Sequence, residues 1–486
     1  MTKIDELFKK CTEGNGKFVK GGDLANYIKE PFIIYCNDFA PEDARDKPKR
    51  FQELLSEAGM KHEADSIEAQ HPGMNPLKFT KEREGFKLVL DAFFTGKEAV
   101  ANGPLIYLPE NLIGRADLLE KRKGESVFGN YHYIVKEIKL AKNLKRDHVL
   151  QAAYYNLVLG KIQGFTPEEF YLVNRNNDIF SYKFSDYKST LELAISDVLK
   201  IKTGEIIPSA TYGSVKYNWT TYTNKIAKEA DDVSLIPGIS GAMKTKLNSS
   251  QFFTVSDIME ADISNLTDIE GIGDVKASQF KLCAESLKTG KPLLKNKDAI
   301  ILPDTKSELY FDLEGTDEVT SGAEPFDYLM GILESENGSE KYISFLAETP
   351  DDEEKIFRDF LKYLDSKEDY ILYHWNTYEV TALKKLFEKY QVDGTKILKR
   401  MVDLYRVSHK SIVFPLYSYS LKAIAKFLKP DSWRHEDVDA MQSIVLYKEF
   451  VDTGDREKLQ KVIDYNEDDC RATLLVKKYL ANLIKQ

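Results

Sequence analysis

Apolar and polar positions follow two periods along this chain, and the switches between them outline its elements. YHYIVKEIKL, residues 131–140, alternates and is rich in β-branched and aromatic side chains, which predicts a strand. The short apolar run LIGRAD ends at Asp117. The turn-rich, charged EKRKGESVFGN separates it from that strand, so a hairpin is expected. Upstream, FQELLSEAGMKHEADSIEA has apolar residues at helical spacing, and KEREGFKLVLDAFFTGKEAVANG predicts a second helix broken at Gly96 and Gly103. Downstream, EEFYLVNRNNDIFSYKFSDY predicts a strand pair turning near Asn176 to Asp178, and STLELAISDVLKIKTGE a helix.

Near residue 230 the character changes. SLIPGISGAMKTKL and DIEGIGDVKASQF are similar segments about 34 residues apart, each with glycines ahead of a lysine-bearing helix. Gly238, Gly241, Gly271 and Gly273 would permit a tight turn between helices. Backbone N–H groups at the second helix's start, beside Lys276, could then face a phosphate. The polar stretch 287–308 reads as a linker. LYFDLEGT then predicts a strand, DYLMGILES and KYISFLAE a hairpin, and YILYHWNTYEVTALKKLFEKY a strand running into a helix. VIDYNEDDCRATLLVKKYL predicts a C-terminal helix.

Length changes the picture first: 486 residues exceed one ordinary core, so about two to four domains are expected. No apolar run is long enough to cross a membrane, and the N-terminus lacks an apolar signal core, so a cytoplasmic protein without a membrane partner is expected. Cys11, Cys36, Cys283 and Cys470 form no C-x-x-C pair, which fits a reducing compartment. The net charge of −10 excludes a basic nucleic-acid coat protein but not a nuclease, whose metal sites add carboxylates. One local basic patch is expected from Lys136, Lys139, Lys142, Lys145 and Arg146.

Two constellations carry chemistry. Glu137 and Lys139 leave one face of their strand, and a hairpin would set Asp117 beside them. Carboxylates are hard ligands for Mg²⁺ or Mn²⁺, and a neighbouring lysine can orient water or offset phosphate charge. In the last segment Asp312 and Glu314 again share a strand face, Glu379 lies on a later helix, and Tyr465 and Asp469 are one helical turn apart. Asp468 lies about 100° around that helix from Asp469 and should point elsewhere.

The first series, Asp117, the hairpin, E-x-K and then Gln151 with Tyr155, resembles the RecB-like branch of the PD-(D/E)XK nucleases. His62 stands where that branch carries an upstream histidine. The resemblance implies metal binding by His62, Asp117 and Glu137, assistance from Lys139, and nucleic-acid contacts from Gln151 and Tyr155. Cys36 matches the first cysteine of that branch's iron–sulfur cluster. Residues 206–225 hold no further cysteine, so no cluster is expected and Cys36 should be a buried thiol. The paired GIS and GIG segments resemble tandem helix–hairpin–helix motifs. The D-x-E, single acid and Y-x-x-x-D order resembles DnaQ-like, RNase H-fold exonucleases, with Asp312, Glu314, Glu379 and Asp469 as metal ligands and Tyr465 aligning water. Here Glu379 replaces the usual Asp. YSYSLKAIAKFL resembles the same family's S-L-x-x-x-A segment.

The expected architecture is an α/β multidomain chain. It would comprise a PD-(D/E)XK restriction-endonuclease-like domain (1–205), a connector with tandem helix–hairpin–helix (206–295) and an RNase H-like domain (300–486). The order resembles a family of bacterial and archaeal RecB-type nucleases, some joined to a helicase. This chain has no G-x-x-x-x-G-K-[ST], so the resemblance implies a separate helicase as partner and DNA, or RNA, as substrate. A nucleic-acid-binding adaptor with one or both sites silent is the other class the same residues allow.

Overall fold

The computed structural model describes residues 2–316, 325–336 and 338–485. The chain divides into two compact units, Met1–Pro48 with Leu55–Glu229, and Lys49–Leu54 with Ala230–Gln486. In the first, helices α1 (Lys3–Thr12), α2 (Gly21–Lys29), α3 (Phe32–Phe39), α4 (Arg50–Gln70) and α5 (Glu82–Phe94) come mostly before the sheet. Helices α6 (Arg146–Gln163), α7 (Lys188–Thr203) and α8 (Thr220–Glu229) complete it. The strands are β1 (Val19–Lys20), β2 (Ala99–Tyr107), β3 (Leu112–Ser126), β4 (Gly129–Ile138), β5 (Glu169–Val173) and β6 (Ile179–Lys183). Their order is β1-β3-β4-β5-β6, with β2 also on β3. Phe86, Phe93, Leu119, Tyr133, Val135, Tyr154 and Leu159 lie in the core that fixes α5 and α6 to the sheet.

Two expectations fail here for physical reasons. KEREGFKLVLDAFFTGKEAVANG is not one broken helix. α5 ends at Phe94, Gly96 follows at φ +70°, and AVANGPLIY is β2. Gly103 lies under Leu119, where a Cβ would come within 2.7 Å of Cδ1. The charged EKRKGESVFGN is not an insert either. β3 runs on to Ser126, with a register shift after Lys123, because Lys121, Arg122 and Lys123 pair with Tyr133, His132 and Tyr131 on β4. Such cross-strand pairs offset the weak strand propensity of charged residues.

The expected basic patch is smaller than its sequence. Lys136 is buried, donating to Glu120 (2.6 Å) and Gln70 (2.8 Å), and Lys139 is held by Glu137. Lys142, Lys145 and Arg146 remain exposed. Cys36 is buried against an apolar cluster with Phe32, Val215 and Trp219.

In the second unit, α9 (Gly241–Ser249), α10 (Val255–Glu260), α11 (Ile263–Thr267) and α12 (Asp274–Thr289) form a helical segment. β7 (Leu293–Leu294) lies within the expected linker and pairs with β13 (Ile412–Val413). The main sheet has β8 (Ser307–Gly315), β9 (Asp327–Glu336), β10 (Ser339–Leu346), β11 (Tyr370–His374) and β12 (Met401–Asp403), ordered β10-β9-β8-β11-β12. The first three pair antiparallel, and β8, β11 and β12 run parallel. Helices α13 (Glu353–Asp365), α14 (Tyr378–Lys389), α15 (Thr395–Leu398), α16 (Leu404–Ser411), α17 (Leu421–Leu428), α18 (Ala440–Thr453) and α19 (Arg456–Lys485) accompany it. Phe311, Leu372, Val462, Cys470 and Val476 are among the core residues, and α19 packs on β8 and β9.

The buried Lys136–Glu120 pair gives a stability test. Lys136→Ala leaves the buried Glu120 with Arg122 (2.6 Å) and His71 (2.8 Å) and should cost about 1–3 kcal/mol in denaturant unfolding of the first unit. Lys142→Ala, at an exposed position, should change it by less than about 0.5 kcal/mol.

Candidate functional site

Two acidic centres form where strand register meets a helix. In the first unit, Leu118 pairs with Lys136, so the next step of the ladder sets Asp117 opposite Glu137. Each carboxylate is pinned by the other strand's backbone. The Asp117 N–H donates to Glu137 Oε1 (3.1 Å), and the Ile138 N–H donates to Asp117 Oδ2 (2.8 Å). Lys139 Nζ donates to Glu137 Oε2 at 2.8 Å. Burial, then repulsion from Asp117, pushes the Glu137 carboxyl up to about 8 despite Lys139. Burial opposes the Lys139 ammonium, but Glu137 and Asp117 outweigh it and hold its pKa above the usual lysine value.

α6 brings Gln151 and Tyr155 to this centre. Gln151 Nε2 donates to Tyr155 Oη (3.1 Å), and Glu137 and Lys139 both act on that hydroxyl. The ring needs glycine beneath it: at Gly114 a Cβ would meet Tyr155 at 2.6 Å. His62 on α4 is half-buried. Burial lowers its pKa against the neighbouring Asn174 backbone, its charged neighbours are Asp65 and Arg175, and its Nε2 is buried without a partner. The α4 carboxylate within electrostatic reach of Asp117 and Lys139 is the adjacent Glu63, which burial pushes up to about 7. Sequence reasoning passed over Glu63, although a carboxylate beside a candidate metal-binding histidine was the available signal.

In the second unit, Asp312 and Glu314 leave one face of β8 and Asp469 reaches them from α19. One carboxylate oxygen from each lies within 4.8 Å of the others. Asn466 Nδ2 donates to Asp312 Oδ2 (2.6 Å), and the Tyr342 hydroxyl donates to Asn466 Oδ1 (2.8 Å). Gly331, opposite Asp312 on β9, leaves the space that Asn466 occupies, and any Cβ there would collide with it. The Tyr328 and Ser443 hydroxyls, 2.9 Å apart, lie beside Glu314 and favour its charged form. Tyr465, one turn before Asp469, has its hydroxyl beside that carboxylate and favours its charged form. Asn466, three residues from Asp469 and so on the same helical face, was also missed in the sequence.

Burial and mutual repulsion push Asp312 and Glu314 well above the carboxylate range. Burial brings Asp469 to about 7, against the neighbouring Tyr465 hydroxyl and Lys422. Glu379 is buried on the first turn of α14, with Oε2 3.5 Å from His374 Nδ1. It acts electrostatically on all three carboxylates but stands outside their tight group. Asp468 points elsewhere, accepting from Arg434 N (2.8 Å) and Nε (2.9 Å).

In the helical segment, Gly238 (φ +92°) and Gly271 (φ +88°) occupy left-handed backbone that glycine alone adopts freely. Gly241 and Gly273 differ from expectation. Neither has a positive φ, and a Cβ on either would meet nothing within 4 Å. They open α9 and cap α12, so their missing side chains leave the helix starts bare rather than relieve a turn. Lys276 Nζ donates to the Gly271 carbonyl at 2.8 Å and is used within the hairpin.

The model of the RNase_H superfamily matches residues 309–481, and that of the SAM-like helix-hairpin-helix tandem matches residues 230–285. The chain therefore carries an RNase H superfamily domain preceded by a tandem helix–hairpin–helix, a pairing that marks a nucleic-acid-processing nuclease. No curated protein matches the chain. Among the described residues no helix is long and apolar enough to cross a membrane.

Nucleases of this superfamily typically use divalent metal ions. Asp312, Glu314 and Asp469 fit one: their oxygens are hard and convergent, and among the described residues no ammonium or guanidinium donates to them. A carboxyl near 7 in the fold against about 4 unfolded binds an extra proton in between, so the metal-free unit should lose stability as pH rises from about 4 to about 7. Added Mg²⁺ or Mn²⁺ should thus raise the melting temperature more at pH about 8 than at about 5. Asp469→Asn should raise the metal-free melting temperature at the higher pH and shrink the metal response. A wild-type melting curve indifferent to millimolar metal at both pH values would exclude this site as a metal centre.

Proposed function

We propose that the chain is a metal-dependent nuclease with two hydrolytic sites, a RecB-like PD-(D/E)XK site around Asp117 and a DnaQ-like one around Asp312. In this reading the domains span 1–205, 206–295 and 300–486, the hairpins grip phosphates, and the substrate is DNA, single-stranded or at its ends. Strand separation belongs to a separate helicase. The observation that carries the proposal is the convergence of Asp312, Glu314 and Asp469 within 4.8 Å.

Bound Mg²⁺ or Mn²⁺ would supply an acidified water and offset charge on the scissile phosphate. The residues prepare the rest. Asn466 and Tyr342 fix the Asp312 carboxylate, so it does not have to reorganise during reaction, and the Ser443 and Tyr328 hydroxyls stand beside Glu314. Tyr465 has its hydroxyl where it can orient a water beside Asp469. At the other centre, Asp117 and Glu137 would be ligands, joined by His62 through its unpartnered Nε2 and by Glu63. Lys139 would hold the attacking water or the phosphate. Glu379 favours a second reading, a binding-only RNase H-like domain, because it stands outside the triad and against His374.

End-labelled single- and double-stranded DNA and RNA, incubated with Mg²⁺ or Mn²⁺, separate these readings. Glu137→Ala and Asp469→Asn should each remove one activity by at least about 100-fold, more than an outer-shell partner typically costs. The double variant should be inactive while folded. Full activity of Asp469→Asn in a Glu137→Ala background would leave the triad without a catalytic role.

The hairpins make a separate prediction. Gly273→Val adds bulk at a bare helix start without an internal clash, so affinity for any sequence should fall severalfold at unchanged melting temperature. Gly271→Val should lower the melting temperature as well, because its φ is left-handed. Unaltered nucleic-acid affinity of Gly273→Val would assign the hairpins to a protein partner.

A further inference from the structure

The second unit contains a cavity of about 430 Å³ that the acidic triad does not line. That volume suits a small-molecule site. It lies at the carboxyl ends of parallel β11 and β12, whose last residues are His374 and Asp403, the position where open α/β sheets take ligands. Ile301, Val380, Met401 and Val407 give it apolar walls.

The rim is built and polar. Asp403 Oδ1 accepts from the Asn376 N–H (3.0 Å) and the Arg406 N–H (3.1 Å), so one oxygen ties the loop before α14 to the start of α16. Asn376 holds the loop in left-handed backbone at φ +71°. Thr377, at the N-terminal end of the twelve-residue α14, and Arg406 both line the opening. Arg406 is exposed, and its guanidinium meets no carboxylate among the described residues. A helix start beside an unpaired guanidinium favours a phosphate.

One wall lies against Glu379 through His374. His374 is 2% exposed and lines the cavity, and its Nδ1 lies 3.5 Å from Glu379 Oε2. Neither buried atom has a hydrogen-bond partner. One imidazole thus separates the chamber from the carboxylate that flanks the triad. An apolar chamber with a phosphate-binding rim matches a nucleotide, a flat apolar base inside and its charge at the mouth.

We propose that this cavity holds a nucleotide of the substrate strand adjacent to the one cut at Asp312, Glu314 and Asp469. The base lies against Val380, Met401 and Val407, and the phosphate sits on Arg406 and the start of α14. This rests on the nuclease reading of the triad.

Calorimetric titration of the full chain with the dinucleotide pTpT in EDTA tests the cavity without catalysis. Arg406→Ala, at an exposed position that should not disturb folding, and Val407→Trp, which fills the chamber, should weaken pTpT binding about tenfold, the effect of one lost charge-assisted hydrogen bond. Arg406→Lys should recover part of it. KM for oligothymidylate degradation should rise by a similar factor, with kcat falling less. Arg406-dependent pTpT binding in a wild type that cuts nothing would keep the cavity and overturn the nuclease reading. Normal cutting, with KM and pTpT binding unchanged in folded Arg406→Ala, would keep the nuclease and overturn the cavity. A wild type that binds no pTpT would also overturn it.

Discussion

Carboxylates brought together away from water repel one another and lose solvation, and both centres of this chain are arranged around that cost. In the first unit a lysine two residues along the same strand offsets it. Lys139 lies on Glu137, and the backbone N–H groups of Asp117 and Ile138 take up the remaining oxygens. In the second unit no cation bonds the triad among the described residues. Among the described residues the Asn466 amide is the one side chain hydrogen-bonded to it, with the Ser443, Tyr328 and Tyr465 hydroxyls alongside. Uncompensated negative charge in a fixed geometry is a poor way to stabilise a fold and a good way to attract a divalent cation.

The same construction recurs with different parts. A strand supplies the pair, because residues two apart leave one face. A second element supplies what the strand cannot: β3 opposite β4 in one case, α19 across β8 in the other. Small residues make the approach feasible. Gly331 leaves room for Asn466, and Gly114 for Tyr155. The opposite face of β4 shows the contrast. Lys136, one residue from Glu137, is buried against Glu120, which also takes Arg122 and His71, so that carboxylate is fully occupied by protein donors.

Between the two acidic centres in sequence, the helix–hairpin–helix uses backbone rather than charge. Gly238 and Gly271 supply the left-handed turns, while Gly241 and Gly273 keep helix starts unobstructed. This is how a chain of net charge −10 can hold a polyanion without a broad basic surface.

Local pattern alone was enough for much of this. Alternation marked β4, an apolar run marked β8, helical spacing marked α4, and the two-residue and four-residue spacings put Glu137 with Lys139, Asp312 with Glu314, and Tyr465 with Asp469, because those relations depend only on backbone geometry. Charge and glycine misled where pairing overrode propensity, in β2 and the far end of β3. Which side of α4 faces Asp117 was decided only by tertiary packing, and it brought Glu63 into reach. Packing also decided that Lys136 turns inward, that Asn466 and Tyr342 brace Asp312, and that Glu379 stands behind His374. Each of these joins side chains far apart in sequence, and neither period nor composition records which distant residues a fold will press together.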